Sequence, residues 1–419
     1  MIEGPSRGNP QPAHLALLIG SIVVSLALAE LGLRAFGVGY VVRGQPDRVT
    51  GWAHIPGAHG WYTGEGRGYV RINSAGWRGP ERPITKPSGV TRIAVLGDSY
   101  TEATQVEEDS AFPALLERRL NDSLPGHFEV LNFGVSGFGT GQELLTLQHY
   151  AFAYAPDAVV LAFMTGNDIS DNSPTLKPYK DFPYFTLTDG RLVLDTSFLA
   201  SPRYRASIRW PARAVRFAVV HCRLAQLVGR ALQSVEAARA LRMAEPQLAA
   251  HRELPRELIA QWQMYLDPPP DTAWDHAWSV TEALLARINA ECRARHIPFY
   301  LVTLSNPPQV TPDTAKLRSF AAALGVRDLF HPERRLAQLS AREGIAMLAL
   351  APLFSADAVA RHEYYHGFGK YPGRGHWNGR GHALAADLIG AWLTSRLPQD
   401  LRDSPQGFNL TKLPPATPR

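Results

Sequence analysis

The chain has 419 residues, of which 45% are hydrophobic and 19% are charged. This composition excludes an intrinsically disordered protein and provides for a sizeable hydrophobic core. The formal net charge is only +5, and the two cysteines, Cys222 and Cys292, are too few for a disulfide framework.

An apolar segment at 13–36 follows a short N-terminal tail at 1–12. From Ala13 to Ala29 it carries no formal charge and consists mostly of Leu, Ile, Val and Ala. A transmembrane helix needs about 17–25 such residues, so the segment predicts a membrane anchor. Ala27-Leu28-Ala29 also resembles a small-residue cleavage site, which keeps a cleaved signal peptide as the alternative. A buried core helix is a poorer fit to a segment at this end of the chain.

Both favoured interpretations of this segment place the body of the chain outside the cytoplasm. The flanking charge favours the opposite orientation for an anchor, because one arginine precedes the uncharged stretch Ala13–Ala29 and three follow it closely. These arginines are Arg7 before that stretch and Arg34, Arg43 and Arg48 after it.

Residues 37–90 are rich in Gly, Trp and Pro and predict an irregular lead-in with short β elements. From 91 to 398 the pattern alternates between strands and helices, which predicts a three-layer α/β/α sandwich with a mainly parallel sheet. Continuous apolar runs such as 158–163 are typical of strands covered on both faces. The predicted strands are 92–96, 130–133, 158–163, 298–304 and 345–350, and the predicted helices are 112–120, 142–152, 281–295, 333–343 and 381–397.

A helical insertion is predicted at about 201–275, and a Pro-rich tail at 399–419. Within the insertion, 203–243 contains nine arginines and one acid, Glu236. Five of the arginines recur at helical spacing, which fits either a solvated amphipathic helix or a surface for anionic lipid or an acidic polymer. Nucleic acid is not indicated, because aromatic residues do not interleave with the arginines.

Gly97-Asp98-Ser99 ends the first strand of the α/β pattern and precedes a predicted helix. A strand–turn–helix junction exposes a hydroxyl and surrounds it with free backbone N–H groups. Ser99 is therefore the candidate nucleophile, although serine is also a common helix N-cap. Asp98 is expected to cap the turn or to contact substrate.

Three further segments follow strands or precede the last helix, and the ends of parallel strands meet at one edge of the sheet. Gly137 lies after the second strand, where glycines let backbone N–H groups approach a ligand. Asn167 follows the third strand and offers an amide for a developing oxyanion. His376 precedes the last helix and is a candidate general base. Asp168 and Asn378 stand beside them as candidate substrate contacts or structural residues.

This ordered set resembles the SGNH (GDSL-type) hydrolase superfamily. In that comparison Ser99, Gly137, Asn167 and His376 match the serine, glycine, asparagine and histidine of its conserved blocks. The resemblance implies a flavodoxin-like α/β/α fold and acyl transfer through an acyl-enzyme, with no cofactor and no metal. Gly137, Asn167 and the Ser99 N–H group would then bind the oxyanion.

Two N-terminal segments narrow the resemblance to membrane-anchored bacterial members of the superfamily. Glu30-Leu31-Gly32-Leu33-Arg34 ends the apolar segment, and Ile72-Asn73-Ser74-Ala75-Gly76-Trp77-Arg78 lies in the lead-in. Polysaccharide O-acetylation proteins belong to the same broad group. The resemblance implies an O-acyl substrate, most simply an O-acetylated carbohydrate or lipid. It also implies a single pass through the inner membrane, with the catalytic domain on the periplasmic side.

One departure concerns the acid that usually precedes the histidine by two or three residues, because Gly373 and Arg374 occupy those positions. A relocated carboxylate such as Glu363 or Asp357, a backbone carbonyl or a simple Ser–His dyad are the alternatives. A degraded site in a non-catalytic assembly or polysaccharide-binding protein is a further possibility.

A competing zinc motif, H-E-x-x-H, is present at His362-Glu363-Tyr364-Tyr365-His366. On a helix this spacing would place two imidazoles on one face for a metallopeptidase. Pro372 occupies the position of the third histidine of one zinc class, and no Glu follows Glu363 to complete another. The segment is therefore expected to be a loop over the active site.

Overall fold

The computed structural model describes residues 12–177, 181–232, 235, 262–399 and 401. Most of the N-terminal tail, the C-terminal part of the arginine-rich stretch and nearly all of the Pro-rich tail lie outside the described residues, so those predictions stay predictions.

Five parallel strands form the central sheet, and shorter strands pair as antiparallel hairpins around it. The strands are β1 Gly44–Asp47, β2 Gly51–His54, β3 His59–Tyr62, β4 Gly68–Arg71, β5 Val90–Gly97, β6 His127–Gly134, β7 Ala158–Met164, β8 Tyr184–Thr188, β9 Arg191–Asp195, β10 Phe299–Leu304 and β11 Ala346–Ala349. The order in the sheet is β11-β10-β7-β5-β6, which is the flavodoxin-like order. Every residue of β5, β7 and β10 is buried, as their continuous apolar sequences predict.

Helices cover both faces of this sheet. The helices whose two ends lie in the described part of the chain, including those that lie outside the sandwich, are α1 Pro12–Ala35, α2 Ser99–Glu102, α3 Phe112–Ser123, α4 Thr140–His149, α5 Asp168–Asp171, α6 Pro202–Ser207, α7 Trp210–His221, α8 Thr272–Arg293, α9 Thr314–Leu324, α10 His331–Glu343, α11 Leu350–Arg361 and α12 Gly379–Thr394. One core contains side chains of α4, α8, α9 and α10, and the other contains side chains of α3, α11 and α12. The three-layer α/β/α sandwich is confirmed.

Some element boundaries differ from the predicted ones. The helices α9 and α11 have no counterpart among the predicted elements. α11 begins at Leu350, directly after β11, so the apolar run continues from strand to helix without a turn residue between them. α8 begins nine residues earlier than predicted, because the Asp271 side chain accepts the N–H of Trp274 at 2.9 Å and caps the helix there.

The lead-in forms two hairpins, β1–β2 and β3–β4, and is tied to the sandwich through a buried arginine. The Asn73 side chain accepts N–H groups within the turn that precedes Arg78. The Arg78 guanidinium donates to the carbonyl oxygens of Glu102 at 2.6 Å and of Val106 at 2.7 Å. Burial lowers the pKa of Arg78 to about 10, against the opposing effect of Glu102, so the guanidinium stays charged at neutral pH. The 72–78 segment therefore holds the chain that follows Ser99.

The N-terminal helix α1 projects from the sandwich. Its stretch Ala13–Ala35 has a mean hydropathy of 2.2, and none of it is buried. By length and composition this helix is able to cross a membrane or to serve as a signal sequence.

Candidate active site

Ser99 lies where the fold predicts a ligand site, at the carboxyl end of β5 beside the point where the strand order reverses. β5 ends at Gly97, and Asp98 is the N-cap of the short helix α2 that Ser99 begins. The Asp98 carboxylate accepts the N–H of Tyr100 at 2.9 Å. This cap fixes the turn and presents the Ser99 hydroxyl at the edge of the sheet.

A histidine and a carboxylate stand in line with Ser99. The Ser99 Oγ atom lies 2.8 Å from His376 Nε2, although the two residues are 277 positions apart. On the other side of the ring, His376 Nδ1 is hydrogen-bonded to the carboxylate of Glu65. The backbone N–H of His376 donates to the second oxygen of Glu65 at 2.8 Å. The three side chains therefore form a hydrogen-bonded Ser–His–Glu line, the candidate catalytic line.

The protonation of this line follows from its hydrogen bonds. Burial alone would raise the pKa of Glu65, but the hydrogen bonds and charge of His376 outweigh it and lower the pKa below its ordinary value. An ionised carboxylate only accepts, so Nδ1 of His376 carries the ring proton. The free Nε2 of His376 can then accept the Ser99 proton, as a general base requires.

Glu65 replaces both carboxylates predicted for this role, so that prediction was wrong. Glu363 lies 3.0 Å from Arg380 in an ion pair. Asp357, which is on the outer helix α11, is hydrogen-bonded to Tyr365 and forms an ion pair with Arg361. Neither carboxylate is bonded to the ring of His376, whose Nδ1 is held by Glu65.

Glycines make the approach of Glu65 possible. A Cβ at Gly375 would lie 1.4 Å from the Glu65 carboxylate, and a Cβ at Gly66 would lie 2.2 Å from the Gln105 carbonyl oxygen. Gly375 also has a φ of 67°, in the left-handed region that favours glycine. The available sequence signal was an acid flanked by glycines in the lead-in, Gly64-Glu65-Gly66, well away from the strand-end segments.

The structure also holds the predicted oxyanion donors on loops that are hydrogen-bonded to the turn before Ser99. Gly137 has a φ of 84°, and its loop is held to β5 because the N–H of Val135 donates to the Gly97 carbonyl at 3.1 Å. The amide of Asn167 donates to Asp98 at 2.9 Å, next to the nucleophile. In the described part of the chain, the N–H groups of Ser99 and Gly137 have no hydrogen-bond acceptor. These groups are available to a substrate oxygen.

A buried ion pair beneath this loop joins it to the lead-in. Glu102 is fully buried and lies 2.5 Å from Arg43 and 3.2 Å from His54. Its carboxylate also accepts the N–H of Ser136 at 2.8 Å. Burial would raise the pKa of Glu102, but Arg43 and His54 hold it far below its ordinary value. The lead-in therefore positions the oxyanion loop as well as His376.

The H-E-x-x-H segment does not form a zinc site. α11 ends at Arg361, and His362 adopts a left-handed conformation with a φ of 55°, so His362 and His366 do not share a helix face. His366 is buried, with Nδ1 2.9 Å from the Gly375 carbonyl and Nε2 3.0 Å from Ser305 Oγ. Burial lowers the pKa of His366 to about 3, so the ring is neutral. Among the described residues, no group of three or more metal-ligating side chains is close enough to hold an ion.

The three predicted substrate contacts have structural partners instead. Asp98 is 1% exposed and caps α2, and Asp168 is fully buried and accepts the N–H of Met164 at 2.7 Å. Asn378 caps α12 and donates to the Tyr364 carbonyl at 2.8 Å. Their polar atoms are hydrogen-bonded to backbone groups of the protein. These three residues therefore support the loops and helices around Ser99.

Comparison with known sequences settles the family. The profile of the GDSL-like lipase/acylhydrolase family matches residues 95–335, more than half of the chain. The chain belongs to this family. It is thereby placed among the ester-hydrolysing enzymes, and the matched range contains Ser99, Gly137 and Asn167. A comparison with curated proteins found no match.

Solved structures of GDSL-type esterases are similar to this chain at low identity. An acetyl xylan esterase, AlAXEase, is 12% identical and has a TM-score of 0.35, over 72% of this chain and 99% of that one. A lipase/acylhydrolase from Enterococcus faecalis is 12% identical with a TM-score of 0.33, over 74% and 97%. A catalytic mutant of an acetylxylan esterase from Geobacillus stearothermophilus is 12% identical with a TM-score of 0.35, over 71% and 92%.

The substitution Glu65→Gln is expected to lower kcat on the order of 10²–10⁴-fold, because a neutral amide neither fixes the ring tautomer nor stabilises the imidazolium. Ester hydrolysis by the purified full chain is the measurement. Glu363→Gln and Asp357→Asn are matched controls and should leave kcat unchanged. A Glu65→Gln enzyme with the wild-type kcat would remove Glu65 from the catalytic line.

Four carboxyl groups are buried behind Ser99, namely those of Asp98, Glu143, Asp168 and Asp171. In the described part of the chain, neither carboxyl oxygen of Glu143 has a hydrogen-bond partner. Burial, followed by the charges of Asp98 and Asp171, raises the pKa of Glu143 well above its ordinary value. Burial also raises the pKa of Asp171 to about 6, against the attraction of Lys177.

These raised pKa values predict that stability falls with increasing pH. The folded state binds more protons than the unfolded state, so its free energy of unfolding decreases as the pH rises through the folded-state pKa values. Glu143→Gln removes one of these groups, so its Tm should fall less than that of the wild type between about pH 5 and about pH 8. Thermal unfolding at several pH values is the measurement, and an unchanged pH dependence would contradict the assignment of Glu143.

Proposed function

We propose that the chain is a serine esterase that transfers acyl groups through a covalent intermediate on Ser99. The observation that carries this proposal is the line of hydrogen bonds from Ser99 Oγ through His376 to Glu65, in which the Ser–His distance is 2.8 Å. With Glu65 present, the missing acid before His376 no longer favours a non-catalytic protein.

The first half of the reaction forms the acyl-enzyme. Ser99 Oγ attacks the ester carbonyl carbon while His376 Nε2 takes the hydroxyl proton, and Glu65 stabilises the imidazolium. The carbonyl oxygen becomes an oxyanion that accepts from Ser99, Gly137 and Asn167. Losing one such donor typically costs about 10²–10³ in rate. The ester C–O bond then breaks, and the leaving alcohol takes the proton from His376.

The second half of the reaction releases the acyl group. His376 takes a proton from water or from a sugar hydroxyl, which attacks the acyl carbon and expels Ser99 Oγ. Ser99 recovers its proton from His376, and the product is a free acid with water or a new ester with a sugar. The choice between hydrolysis and transfer therefore depends on which hydroxyl group reaches the acyl-enzyme.

The exposure of the site favours a substrate that carries a bulky polar group. The side chains of His376 and Glu65 are 26% and 29% exposed, so the catalytic line opens to solvent. Tyr371 and Arg374 are exposed on the loop that leads to His376. An aromatic face and a guanidinium suit a sugar ring and its hydroxyl groups. We therefore favour O-acetyl esters of a carbohydrate.

Replacement of Ser99 is expected to abolish turnover. With p-nitrophenyl acetate and the full chain in detergent, Ser99→Ala should lose on the order of 10³-fold or more in kcat. A fluorophosphonate probe should label the wild type and not this variant. Ser123→Ala, which removes an exposed serine, is the matched control. Equal hydrolysis by wild type and Ser99→Ala would overturn the proposed function.

We also propose that α1 anchors the enzyme in the inner membrane by a single pass, with the catalytic domain in the periplasm. The exposure of Ala13–Ala35 supports an anchor. A C-terminal alkaline phosphatase fusion should be active and a β-galactosidase fusion at the same point inactive, because the former enzyme works only after export. The reverse result would place the domain in the cytoplasm.

A further inference from the structure

The helix α7 carries an apolar surface that the sandwich does not cover. None of its 12 residues, all of them described, is buried. Trp210 and Phe217, which are seven positions apart and therefore share one face of the helix, are 78% and 67% exposed. Helices of globular domains normally turn such side chains toward a core, so this face requires another environment.

Basic residues accompany this apolar surface. Arg209 and Arg213 are exposed and Arg216 is half-buried, and the sequence contains no acid from 203 to 235. Apolar and aromatic side chains mixed with arginines are typical of helices that lie in the headgroup region of anionic membranes. Tryptophan in particular is enriched at that interface.

The position of α7 relative to α1 indicates what covers the exposed apolar face of α7. At the C-terminal end of α1, Arg34 donates to the carbonyl of His221, the last residue of α7. The Glu30 carboxylate accepts the N–H groups of Arg223 and Leu224 at 3.0 Å each. Helix α7, which has no buried residue in the described part of the chain, is thus hydrogen-bonded to the segment by which α1 would leave the bilayer. The apolar phase nearest to it would then be that bilayer.

We propose that α7 docks on the anionic lipid leaflet that α1 enters. Trp210 and Phe217 lie at the boundary of the acyl chains, and the arginines lie at the lipid phosphates. This docking rests on α1 being a membrane anchor and is independent of the esterase chemistry.

The docking surface is also connected to the catalytic line. Arg230, in the helical stretch 223–232, donates to the carbonyl oxygen of Thr63 at 2.9 Å and to its hydroxyl at 3.0 Å. Gln226 in the same stretch accepts the N–H of Tyr40 at 3.0 Å. Thr63 is two positions before Glu65, so the stretch that follows α7 in the chain is hydrogen-bonded to the loop that supplies the acid.

Fluorescence quenching by brominated lipids tests this docking on the full chain. The chain is reconstituted into vesicles of phosphatidylcholine, with or without phosphatidylglycerol, whose acyl chains carry bromine. Trp210 is the most exposed of the nine tryptophans, so we expect quenching to be stronger in the anionic vesicles and to be largely lost in Trp210→Phe. The triple variant R209Q/R213Q/R216Q should lose the dependence on phosphatidylglycerol, since each arginine contributes about fivefold to binding.

A matched triple variant, R293Q/R318Q/R327Q, removes the same charge from exposed positions elsewhere and should behave as the wild type. Equal quenching in wild type and Trp210→Phe would overturn the proposal and leave another part of the chain, a second copy or an acidic polymer as the occupant. Vesicle flotation after a carbonate wash reports on α1 separately. A chain that fails to float has no anchor, which overturns the docking and the proposed location but not the esterase activity.

Discussion

The contact between Glu65 and His376 is the interaction on which the rest of the site depends. It fixes the imidazole by two hydrogen bonds, one to the ring and one to the backbone N–H, and it keeps a negative charge where the imidazolium will form. A half-buried carboxylate can stay ionised there because those two hydrogen bonds outweigh its desolvation. Without Glu65, nothing would fix which ring nitrogen of His376 carries the proton, and the nitrogen next to Ser99 would not be held ready to accept one.

Two arginines of the lead-in hold it in place by bonding to acceptor groups of the sandwich. Arg78 is buried against three carbonyl oxygens after Ser99, and Arg43 is paired with the buried Glu102 under the oxyanion loop. Removing one partner of a buried pair leaves an uncompensated charge, which is far costlier than losing a surface contact. The lead-in is therefore fixed to the sandwich by buried polar contacts. As a result, Glu65 of the lead-in can form one hydrogen-bonded line with Ser99 and His376 of the sandwich.

The fold and the candidate nucleophile could be predicted from the sequence, because continuous apolar strands indicate a parallel sheet and such a sheet brings its strand ends together. Ser99, Gly137 and Asn167 follow from that rule, whereas His376 is identified by its place before the last helix. Glu65 could not be predicted, since no periodicity links a loop of the lead-in to a loop 311 positions away. The zinc interpretation of 362–366 is wrong for a local reason. The H-E-x-x-H spacing brings its two histidines together only on a helix, and α11 ends at Arg361.

The separation of the catalytic residues along the chain has a consequence for biosynthesis. Glu65 and Ser99 are made early, whereas His376 lies near the C-terminus, and the hydrogen bonds of His376 span 277 and 311 positions. A nascent chain, or one cut short before His376, lacks the base and cannot attack an ester. Because the chain is synthesised from its N-terminus, the base is the last member of this arrangement to be made. By the proposed mechanism, the unfinished polypeptide therefore cannot form an acyl-enzyme while its synthesis is incomplete.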